Sequence, residues 1–578
     1  MQDLLLRLHS CPKGYTKDLE KACSPAQTLA RVRERFAKTH LSVVREAKRI
    51  DTGRLGIPVY MSLWGKDAQA LIPSRKQMGK GSSPEQAEAS AIMEAVERFS
   101  FFHFFAEKPL CQRMLYPEAK ARFGKACVSI QTIQASVNDT IDPALAEALF
   151  ATIPWWFCPA SDLTHDELCW LPIDWFRLIN EFNGASAGNT EEESVLQGLC
   201  ELIERHVCAI IDQTHPNLPT ISTDSCTDPT LCQLLRCFSD QGIHLILKDF
   251  SLDMPLPTVG ALAWDPSTWP NSSEIVFTAG TATSPEKAAI RALTEVAQLA
   301  GDFATNACYE ASALTKYHNL TETTWLTKEC PAIPLSHLPS QAAPDIADEL
   351  RSTIAALKHP VFTVRTTHPQ LAIPAHYTII PGFLFRERDP NQCLGLFVGR
   401  KLVESDDPAT MEYGIQLLQK AYPNAHFLPF FHAMATMRQG DFPKAEQAFA
   451  KAQDCQPNQE SQALACFYQA YCASQYDNWA ASIAPLEKAV ALDGNVKEYW
   501  NLLGVALFKS QSFAKAKTCF SKALAIDKGS AMDMANLGLC EKALGEVDEA
   551  IKHLTLAQSL DPSLTFVTSH INEMLHKD

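Results

Sequence analysis

The sequence lacks several features that would place it in a specialised class of protein. Of its 578 residues 46% are hydrophobic, yet no run of about 20 apolar residues that could span a bilayer is present. The 19 cysteines include no C-x-x-C pair, so in a chain of this length they are interpreted as buried thiols rather than as a disulfide framework. The start at Met1-Gln2-Asp3 lacks the charge and the apolar length of a signal peptide. We therefore expect a cytoplasmic protein.

Basic residues are in the minority. Lys and Arg number 51 against 66 Asp and Glu, which gives a formal net charge of −15. The sequence has no basic arm or stripe, and such patches are what bind nucleic-acid backbones and anionic membranes. We therefore expect neither a nucleic acid nor a membrane among the partners.

The length exceeds that of a usual single domain, which is roughly 100 to 200 residues, so two or more domains are expected. Residues 1–400 mix apolar runs typical of strands with amphipathic helices, which is an α/β or α+β pattern. Residues 401–425, which include Asp407 and Pro408, are predicted to be a linker to a different kind of domain over 426–578.

That second region contains an internal repeat. Gly504 and Gly538 lie 34 residues apart, and aligning them superposes Phe520 on Leu554. With two looser copies before them, the pattern resembles the tetratricopeptide repeat and predicts an all-α solenoid of four helix pairs over 426–565. Such a solenoid binds a peptide or another subunit, or serves as a packing and dimerisation module.

Three helical segments of residues 1–400 carry polar side chains at i, i+4 and i+7, which lie on one narrow stripe of a helix. In the first and third segments nearly all other positions are apolar, which indicates a helix buried almost all round with its stripe facing a cleft. These two stripes are Ser90, Glu94 and Glu97, and Arg291, Glu295 and Gln298.

The second segment begins at the capping residue Thr190 and continues with Glu193, Gln197, Glu201 and Glu204 on one face. For this helix alone, a solvated face is the simpler interpretation. If the three stripes converge, their carboxylates would repel one another and need cations. Mg²⁺ with the phosphates of a nucleotide meets that need, and arginines beside the stripes would bind phosphate oxygens.

Two segments have patterns typical of other kinds of site. The segment 74–81 resembles a P-loop, but Ser stands where its first Gly belongs and Gly stands where the Mg²⁺-binding Ser or Thr belongs. The segment 184–188 matches the nucleophile-elbow pattern G-x-S-x-G, which would make Ser186 a hydrolase nucleophile. His206 and His244 follow it in the chain, but nothing local marks either as the partner of Ser186.

The segments 79–98, 187–205 and 291–298 resemble, in order and spacing, the nucleotide-binding signatures of the YcaO family. The resemblance covers most of residues 10–400. It implies an α/β (α+β) domain peculiar to that family, which binds ATP with Mg²⁺ without a P-loop and is followed here by the tetratricopeptide-like solenoid.

The resemblance also implies a chemistry. A nucleophile adds to a backbone amide carbon of a peptide or protein, the γ-phosphate is transferred to the resulting oxyanion, and phosphate leaves. Metal binding is then expected from Glu94, Glu97, Glu193, Glu201 and Glu204. Contacts to ATP are expected from Lys21, Ser90, Glu97, Ser186, Asn189, Arg205, Glu295 and Gln298, and catalytic roles from Glu193, Glu201 and Arg291.

The product and the partners are further expectations from the resemblance. Azoline-forming members typically end in a proline-rich tail, whereas this sequence ends Met-Leu-His-Lys-Asp, so azoline formation is disfavoured. Segments 11–16 and 24–28 are similar to members that introduce thioamides with a sulfide source and a TfuA partner, so thioamidation is expected first. The alternatives are an accessory role in methylthiolation of a ribosomal protein and an ATP-gated scaffold that recruits a modifying enzyme. A homodimer formed through the repeats is also expected.

Overall fold

The computed structural model describes residues 4–73, 76–305, 309, 314–328, 330–386, 388 and 392–576. Ser74 and Arg75 of the P-loop-like segment, the starting residues 1–3 and the last two residues, 577–578, lie outside this part. The chain divides into two compact units, the first formed by residues 1–140 and 154–393 and the second by residues 141–153 and 394–578.

Among the described residues, none of the helices combines the length and the apolar character that crossing a membrane requires.

The first unit is built on β-sheets that mix with helices. Its strands are β1 (Val44–Arg49), β2 (Val59–Trp64), β3 (Lys76–Lys80), β4 (Gln112–Met114), β5 (Trp155–Asp162), β6 (Glu167–Pro172), β7 (Ala185–Ala187), β8 (Thr220–Ser222), β9 (His244–Asp249), β10 (Thr258–Trp264), β11 (Val276–Thr281), β12 (Ala332–Pro334), β13 (Phe362–Arg365) and β14 (Ala375–Ile379).

In the described residues these strands form three sheets. The first has the order β1-β2-β3, the second β11-β10-β9-β8-β12, and the third β4-β5-β13-β14-β7 with β6 added on β5. Paired strands are antiparallel except β8 and β12. Among the apolar runs typical of strands in residues 1–400, those at 57–61, 243–247 and 274–277 overlap β2, β9 and β11.

Helices cover the sheets of the first unit. They are α1 (Pro25–Thr39), α2 (Lys66–Gln69), α3 (Pro84–Glu107), α4 (Tyr116–Phe123), α5 (Ile130–Ala135), α7 (Ile173–Asn180), α8 (Glu191–Thr214), α9 (Pro229–Ser239), α10 (Pro285–Ala300), α11 (Thr324–Thr327) and α12 (Ile346–Ala356). The α6 helix (Pro143–Phe150) belongs to the second unit. This mixture of sheets and helices confirms the predicted fold class.

The three helices with polar stripes are α3, α8 and α10. Each starts at a hydroxyl residue, Ser83, Thr190 or Ser284, whose side chain accepts a hydrogen bond from the backbone N–H three positions later. Apolar residues of α10 pack against strands β10 and β11 in one buried cluster with those of α9. The expectation that the first and third helices are buried around most of their circumference is confirmed.

The second unit is all-helical in its described part. In addition to α6 it contains α13 (Leu394–Leu402), α14 (Pro408–Ala421), α15 (Leu428–Arg438), α16 (Phe442–Gln453), α17 (Gln459–Ser474), α18 (Trp479–Leu492), α19 (Lys497–Lys509), α20 (Phe513–Ile526), α21 (Ala531–Leu544), α22 (Val547–Leu560) and α23 (Phe566–Leu575). Helices α15 to α22 form the four predicted pairs, in which consecutive helices contact each other.

Small residues allow the paired helices to approach closely. A Cβ atom added to Gly504 would lie 2.8 Å from the ring of Phe520, and one added to Gly538 would lie 2.7 Å from Cγ of Leu554. Phe520 and Leu554 are almost fully buried. The predicted tetratricopeptide-like packing is therefore confirmed.

The boundary between the units differs from the prediction. The segment 401–425 is mostly helical, because Asp407 accepts hydrogen bonds from the N–H groups of Ala409 and Thr410 and so caps α14, with Pro408 in its first turn. The acidic residues and the proline that suggested a linker therefore start a helix. The second unit also includes α6, which contacts α13 and α14.

Candidate functional site

The polar stripes of α3, α8 and α10 line one cleft of the first unit, with a volume of about 1010 Å³. A solvated face for α8 is therefore wrong, because its stripe faces this cleft. Nearly all residues predicted for the site line it, namely Lys21, Ser90, Glu94, Glu97, Asn189, Glu193, Glu201, Glu204, Arg205, Arg291, Glu295 and Gln298.

Ser186 is the exception among the predicted site residues. Its side chain is buried in β7 and its hydroxyl donates a hydrogen bond to the carbonyl of Ser194 at 2.7 Å. His206 is engaged elsewhere, since its Nδ1 accepts the N–H of Leu384 at 2.9 Å. The structure therefore places Ser186 outside the cleft, and it gives no support to the hydrolase alternative.

On α3, two carboxylates share one arginine. The guanidinium of Arg98 lies 3.8 Å from Glu94 and 3.6 Å from Glu97, and it stacks over the ring of Phe182 at 4.0 Å. The side chain of Arg98 is only 13% exposed. The α3 side of the cleft thus carries two acids and one fixed cation.

On α8, Glu201 and Arg205 are one helical turn apart, with 4.0 Å between Oε1 and Nε. Glu204 accepts the backbone N–H of Thr281 in β11 at 2.8 Å. The carboxylate of Glu204 thereby links α8 to the sheet that supports α10.

Glu193 differs from the other acids of α8 because protein groups already surround its carboxylate. It accepts the backbone N–H of Asn189 at 3.1 Å and that of Ala22 at 2.9 Å, and the ammonium of Lys21 lies 3.7 Å away. The side chain is only 5% exposed. These contacts suit a residue that positions the segment around Lys21 beside the cleft better than one that binds a metal directly.

On α10, Arg291 donates a hydrogen bond to the side-chain carbonyl of Gln197 at 3.0 Å. Glu295 forms an ion pair with Lys80, the last residue of β3. Burial, followed by the neighbouring charge of Arg291, lowers the pKa of Lys80 to about 8. An amine of the three-stranded sheet thus sits between the acids and arginines of the helices.

The arginines beside the glutamates of the cleft neutralise only part of their negative charge. Burial raises the pKa of Glu94 and Glu201, although Arg98 and Arg205 beside them act in the opposite direction. The pKa of Glu97 is raised well above its ordinary value, first by burial and then, against the pull of Arg98, by the nearby Glu201 and Glu94. Such a cluster gains stability when a cation binds.

The chemistry of the lining residues fits a magnesium nucleotide. Two buried donors, Nη1 of Arg98 and Nε of Arg291, have no hydrogen-bond partner in the described part of the protein, and guanidinium groups are well suited to phosphate oxygens. No three or more His, Cys, Asp or Glu side chains of that part are grouped closely enough to hold a metal on their own. Mg²⁺ usually binds one or two carboxylates together with substrate phosphates and water, so separated acids suit it.

The lining residues that sequence reasoning did not name as site residues include Lys80, Arg98 and Gln197. The sequence contained signals for two of these three. Arg98 follows Glu97 as Arg205 follows Glu204, and Gln197 lies on the predicted stripe of α8. Lys80 stands between two glycines, but nothing in the sequence indicates that its ammonium reaches α10.

Comparison with known proteins identifies a matching protein family. A family model described as YcaO cyclodehydratase, ATP- and Mg²⁺-binding, matches residues 78–384, which is more than half of the chain. Two models of the tetratricopeptide repeat match residues 497–530 and 534–564. ATP and Mg²⁺, the groups that the first model names, are the cofactors that the cleft fits.

Individual relatives are more distant. An uncharacterised protein of Methanothermobacter thermautotrophicus is 25% identical over 418 residues, which are 67% of this chain and 99% of that protein. A protein encoded in the tfuA 3′ region of Rhizobium leguminosarum bv. trifolii is 26% identical, over 49% of this chain and 67% of its own length. The Escherichia coli ribosomal protein S12 methylthiotransferase accessory factor YcaO is 25% identical, over 33% of this chain and 35% of its own length.

Among solved structures, a heterocyclase in complex with substrate and cofactor superposes with a TM-score of 0.55 at 20% sequence identity. The superposition covers 70% of this chain and 57% of the heterocyclase. It shows a shared fold.

Proposed function

We propose that this chain, which belongs to the YcaO family, uses ATP and Mg²⁺ to activate a backbone amide of a peptide or protein and that the product is a thioamide. The observation that carries the proposal is the convergence of α3, α8 and α10, whose acids and arginines line one cleft. Each helix supplies at least one glutamate and one cation or amide to this cleft.

The acidic and the basic residues of the cleft would have different roles. Glu94, Glu97, Glu201 and Glu204 are the acids that would hold Mg²⁺, and the unpartnered nitrogens of Arg98 and Arg291 would bind phosphate oxygens. ATP supplies the phosphoryl group that converts the amide oxygen into a leaving group. The fixed arginines would stabilise negative charge on that oxygen and on the phosphate as the transfer proceeds.

The proposal that the product is a thioamide is supported by the similarity to one relative. The protein from Rhizobium leguminosarum bv. trifolii is encoded in the tfuA 3′ region, and the similarity to it supports a TfuA-like partner for this chain. Sulfide adds to the amide carbon, the γ-phosphate is transferred to the resulting oxyanion, and loss of phosphate leaves sulfur in place of the amide oxygen. The peptide substrate would be recognised by the first unit, by the repeats or by the partner.

The nucleotide half of the proposal is tested by titration calorimetry with a nonhydrolysable ATP analogue, with and without Mg²⁺. The test variant is Glu201→Gln, which keeps the shape of the side chain but removes its charge. The matched control is Glu88→Gln, because Glu88 lies on α3 outside the cleft and pairs with Arg33. We expect Mg²⁺-dependent binding by the wild type and by the control, and its loss in Glu201→Gln.

The chemical half is tested by mass spectrometry of peptides after incubation of the chain with ATP, Mg²⁺, sulfide, a TfuA-like protein and a cell extract. Exchange of an amide oxygen for sulfur, dependent on ATP and abolished by Glu201→Gln, is the expected result. Loss of water without sulfur uptake would instead indicate azoline formation. Nucleotide binding with neither product would contradict the enzyme proposal and favour an ATP-gated scaffold.

A second candidate is an accessory role in methylthiolation of a ribosomal protein. It is favoured by the similarity to the Escherichia coli accessory factor, although this covers only 35% of that factor. Addition of the chain to a methylthiotransferase reaction on ribosomes separates the two candidates. Stimulation of that reaction without any thioamide product would replace the first candidate by the second.

That the protein forms a homodimer through its repeats stays a prediction. Light scattering on the full chain gives its mass in solution directly. Because α6 from residues 141–153 belongs to the repeat unit, a chain cut near residue 400 would lose the partners of this helix, so the full chain is the better sample. A monomer at all concentrations would contradict the prediction.

A further inference from the structure

The cleft is assembled from three segments with the same arrangement of strand, capping residue and helix. Strands β3, β7 and β11 each end three positions before the capping residues Ser83, Thr190 and Ser284. The stripe residues then stand seven, eleven and fourteen positions after the cap in every segment. They are Ser90, Glu94 and Glu97; Gln197, Glu201 and Glu204; and Arg291, Glu295 and Gln298.

Equivalent positions also make equivalent contacts. A Cβ atom on Gly79, four positions before its cap, would lie 2.1 Å from the backbone nitrogen of Ala91, eight positions after that cap. The same holds for Gly280 and Ala292 at 2.4 Å. In the middle segment the glycine has moved to the helix. There a Cβ atom on Gly198 would lie 2.9 Å from Oγ of Ser186.

The three segments are arranged in a cycle. Each strand contacts its own helix and also the helix of another segment: β3 contacts α10, β11 contacts α8, and β7 contacts α3. The last residue of a strand can therefore meet an acid of that second helix. The N–H of Thr281 at the end of β11 binds Glu204 of α8 at 2.8 Å, and the ammonium of Lys80 at the end of β3 pairs with Glu295 of α10.

Lys80 breaks the pattern in one respect. The strand-end residues of the other two segments are Ala187 and Thr281, so Lys80 is the charged member of the set. Its side chain is 25% exposed and lines the cleft, and the side chain of Glu295 is 19% exposed. A glutamate so far removed from water is costly without a cation, and the strand-end lysine supplies one.

Lys80 also differs from the arginines of the cleft in how it is held. Arg98 is held between two acids and over an aromatic ring, and Arg291 is held by Gln197. Lys80 has a flexible stem and three donors that rotate freely about its last bond, and its one ion pair is with Glu295 among the described residues. It can therefore change partners without movement of the backbone.

We propose that the ammonium of Lys80 neutralises Glu295 in the free protein and binds the phosphate oxygens instead when the nucleotide is bound. The inference rests on the proposed nucleotide-dependent function. Mg²⁺ that enters with the nucleotide brings positive charge into the cleft, which offsets the loss of the ion pair between Lys80 and Glu295.

Titration calorimetry with Mg²⁺ and three nucleotides tests the proposal on the full chain: a nonhydrolysable ATP analogue, ADP and AMP. The variant is Lys80→Met and the matched control is Lys48→Met, an exposed lysine of β1 in the same sheet. We expect Lys80→Met to weaken binding of the ATP analogue about tenfold or more, as for loss of a charged hydrogen bond, with a smaller loss for ADP and none for AMP.

A double variant separates contact with phosphate from mere neutralisation of Glu295. The double variant is compared with Glu295→Gln alone, because Glu295 is itself expected to contact ATP. If Lys80 only compensates that acid, adding Lys80→Met to Glu295→Gln leaves the affinity unchanged, and the proposal is overturned. If Lys80 binds phosphate, the double variant binds more weakly than Glu295→Gln alone. Acylation of the Lys80 amine, followed by peptide mass spectrometry, gives a readout independent of affinity: the bound ATP analogue should protect Lys80 and leave Lys48 unaffected.

The outcomes distinguish this inference from the proposed function. Binding of the ATP analogue by wild type and Lys80→Met with equal affinity overturns the inference alone. No binding by the wild type removes the proposed function and the inference together. The thermal unfolding midpoint shows whether Lys80→Met is folded, and Lys80→Gln replaces it if it is not.

Discussion

The two units of the chain differ in how far apart in the sequence their contacting residues lie. In the repeat unit, Gly504 meets Phe520 within one helix pair. In the first unit, Lys80 meets Glu295, more than 200 residues further along the chain. Contacts of the first kind produce a local pattern that can be seen in the sequence, whereas contacts of the second kind depend on how the sheets are arranged.

The units also differ in what touches the glycines. In the repeats a glycine faces a side chain that can shift, such as the ring of Phe520. In the first unit a glycine of a strand faces the backbone of its own segment's helix, as Gly79 faces Ala91 and Ala87. The first unit therefore tolerates less change at these positions than the repeats do.

The largest effect is expected from a matched pair of glycine substitutions. In Gly79→Ala the new Cβ would lie 2.1 Å from backbone, so we expect a loss of more than about 3 kcal/mol in the free energy of unfolding. In Gly504→Ala it would lie 2.8 Å from a ring that can move, and we expect about 1 to 3 kcal/mol. Chemical denaturation of both variants measures the difference. Equal losses would remove this contrast between the units.

A second prediction concerns the acids that cluster in the cleft of the first unit. Glu97→Gln removes a buried charge whose pKa is already raised, so we expect the free energy of unfolding to rise by about 1 kcal/mol. The same change removes a proposed Mg²⁺ ligand. Affinity for the magnesium nucleotide should fall at least about tenfold, as for groups that support a metal site.

Thermal unfolding and titration calorimetry on the same sample check that prediction. The control is Glu88→Gln on the other side of α3, which should change neither quantity in this direction because Glu88 pairs with Arg33 outside the cleft. A variant that is less stable and binds the nucleotide normally would show that Glu97 has a structural role only.

The smallest effect concerns a buried histidine of the first unit. His206 is 8% exposed and stacks on Phe383, and burial, followed by His359 and Arg388, lowers its pKa to about 4. Because this pKa lies below the ordinary value of about 6.5, the neutral form contributes stability above pH 6.5. That contribution is lost progressively as the pH falls towards 4.

We expect the wild type to lose about 1 kcal/mol of stability through His206 between pH 7 and pH 5. His206→Gln should show a smaller drop of the thermal unfolding midpoint over the same interval. His337→Gln, at an exposed histidine, serves as the control and should follow the wild type. An identical pH response of His206→Gln and wild type would exclude this histidine as the cause.

Much of the candidate site could be predicted from the sequence because its parts are local. The cap Thr190 and the i, i+4, i+7 stripes are local features of a helix, and twelve of the thirteen predicted residues line the cleft. Ser186 was misplaced because neither the resemblance nor the G-x-S-x-G pattern tells whether the serine hydroxyl faces a cleft or, as here, the carbonyl of Ser194.

The predicted linker failed for a related reason. An aspartate followed by proline is common both in loops and at the start of a helix, and here Asp407 caps α14. The attachment of α6 to the repeat unit could not be predicted, because residues 141–153 are far in sequence from the helices they contact.

Local sequence patterns specify the helix pairs of the repeats, the polar stripes and the presence of acids that need a cation. Each of these features follows from side chains a few residues apart on a regular helix. Long-range packing, in contrast, brings the three stripes to one cleft, surrounds Glu193 with protein groups and places Lys80 beside Glu295. These contacts join segments that the sheets bring together, and no local spacing encodes them.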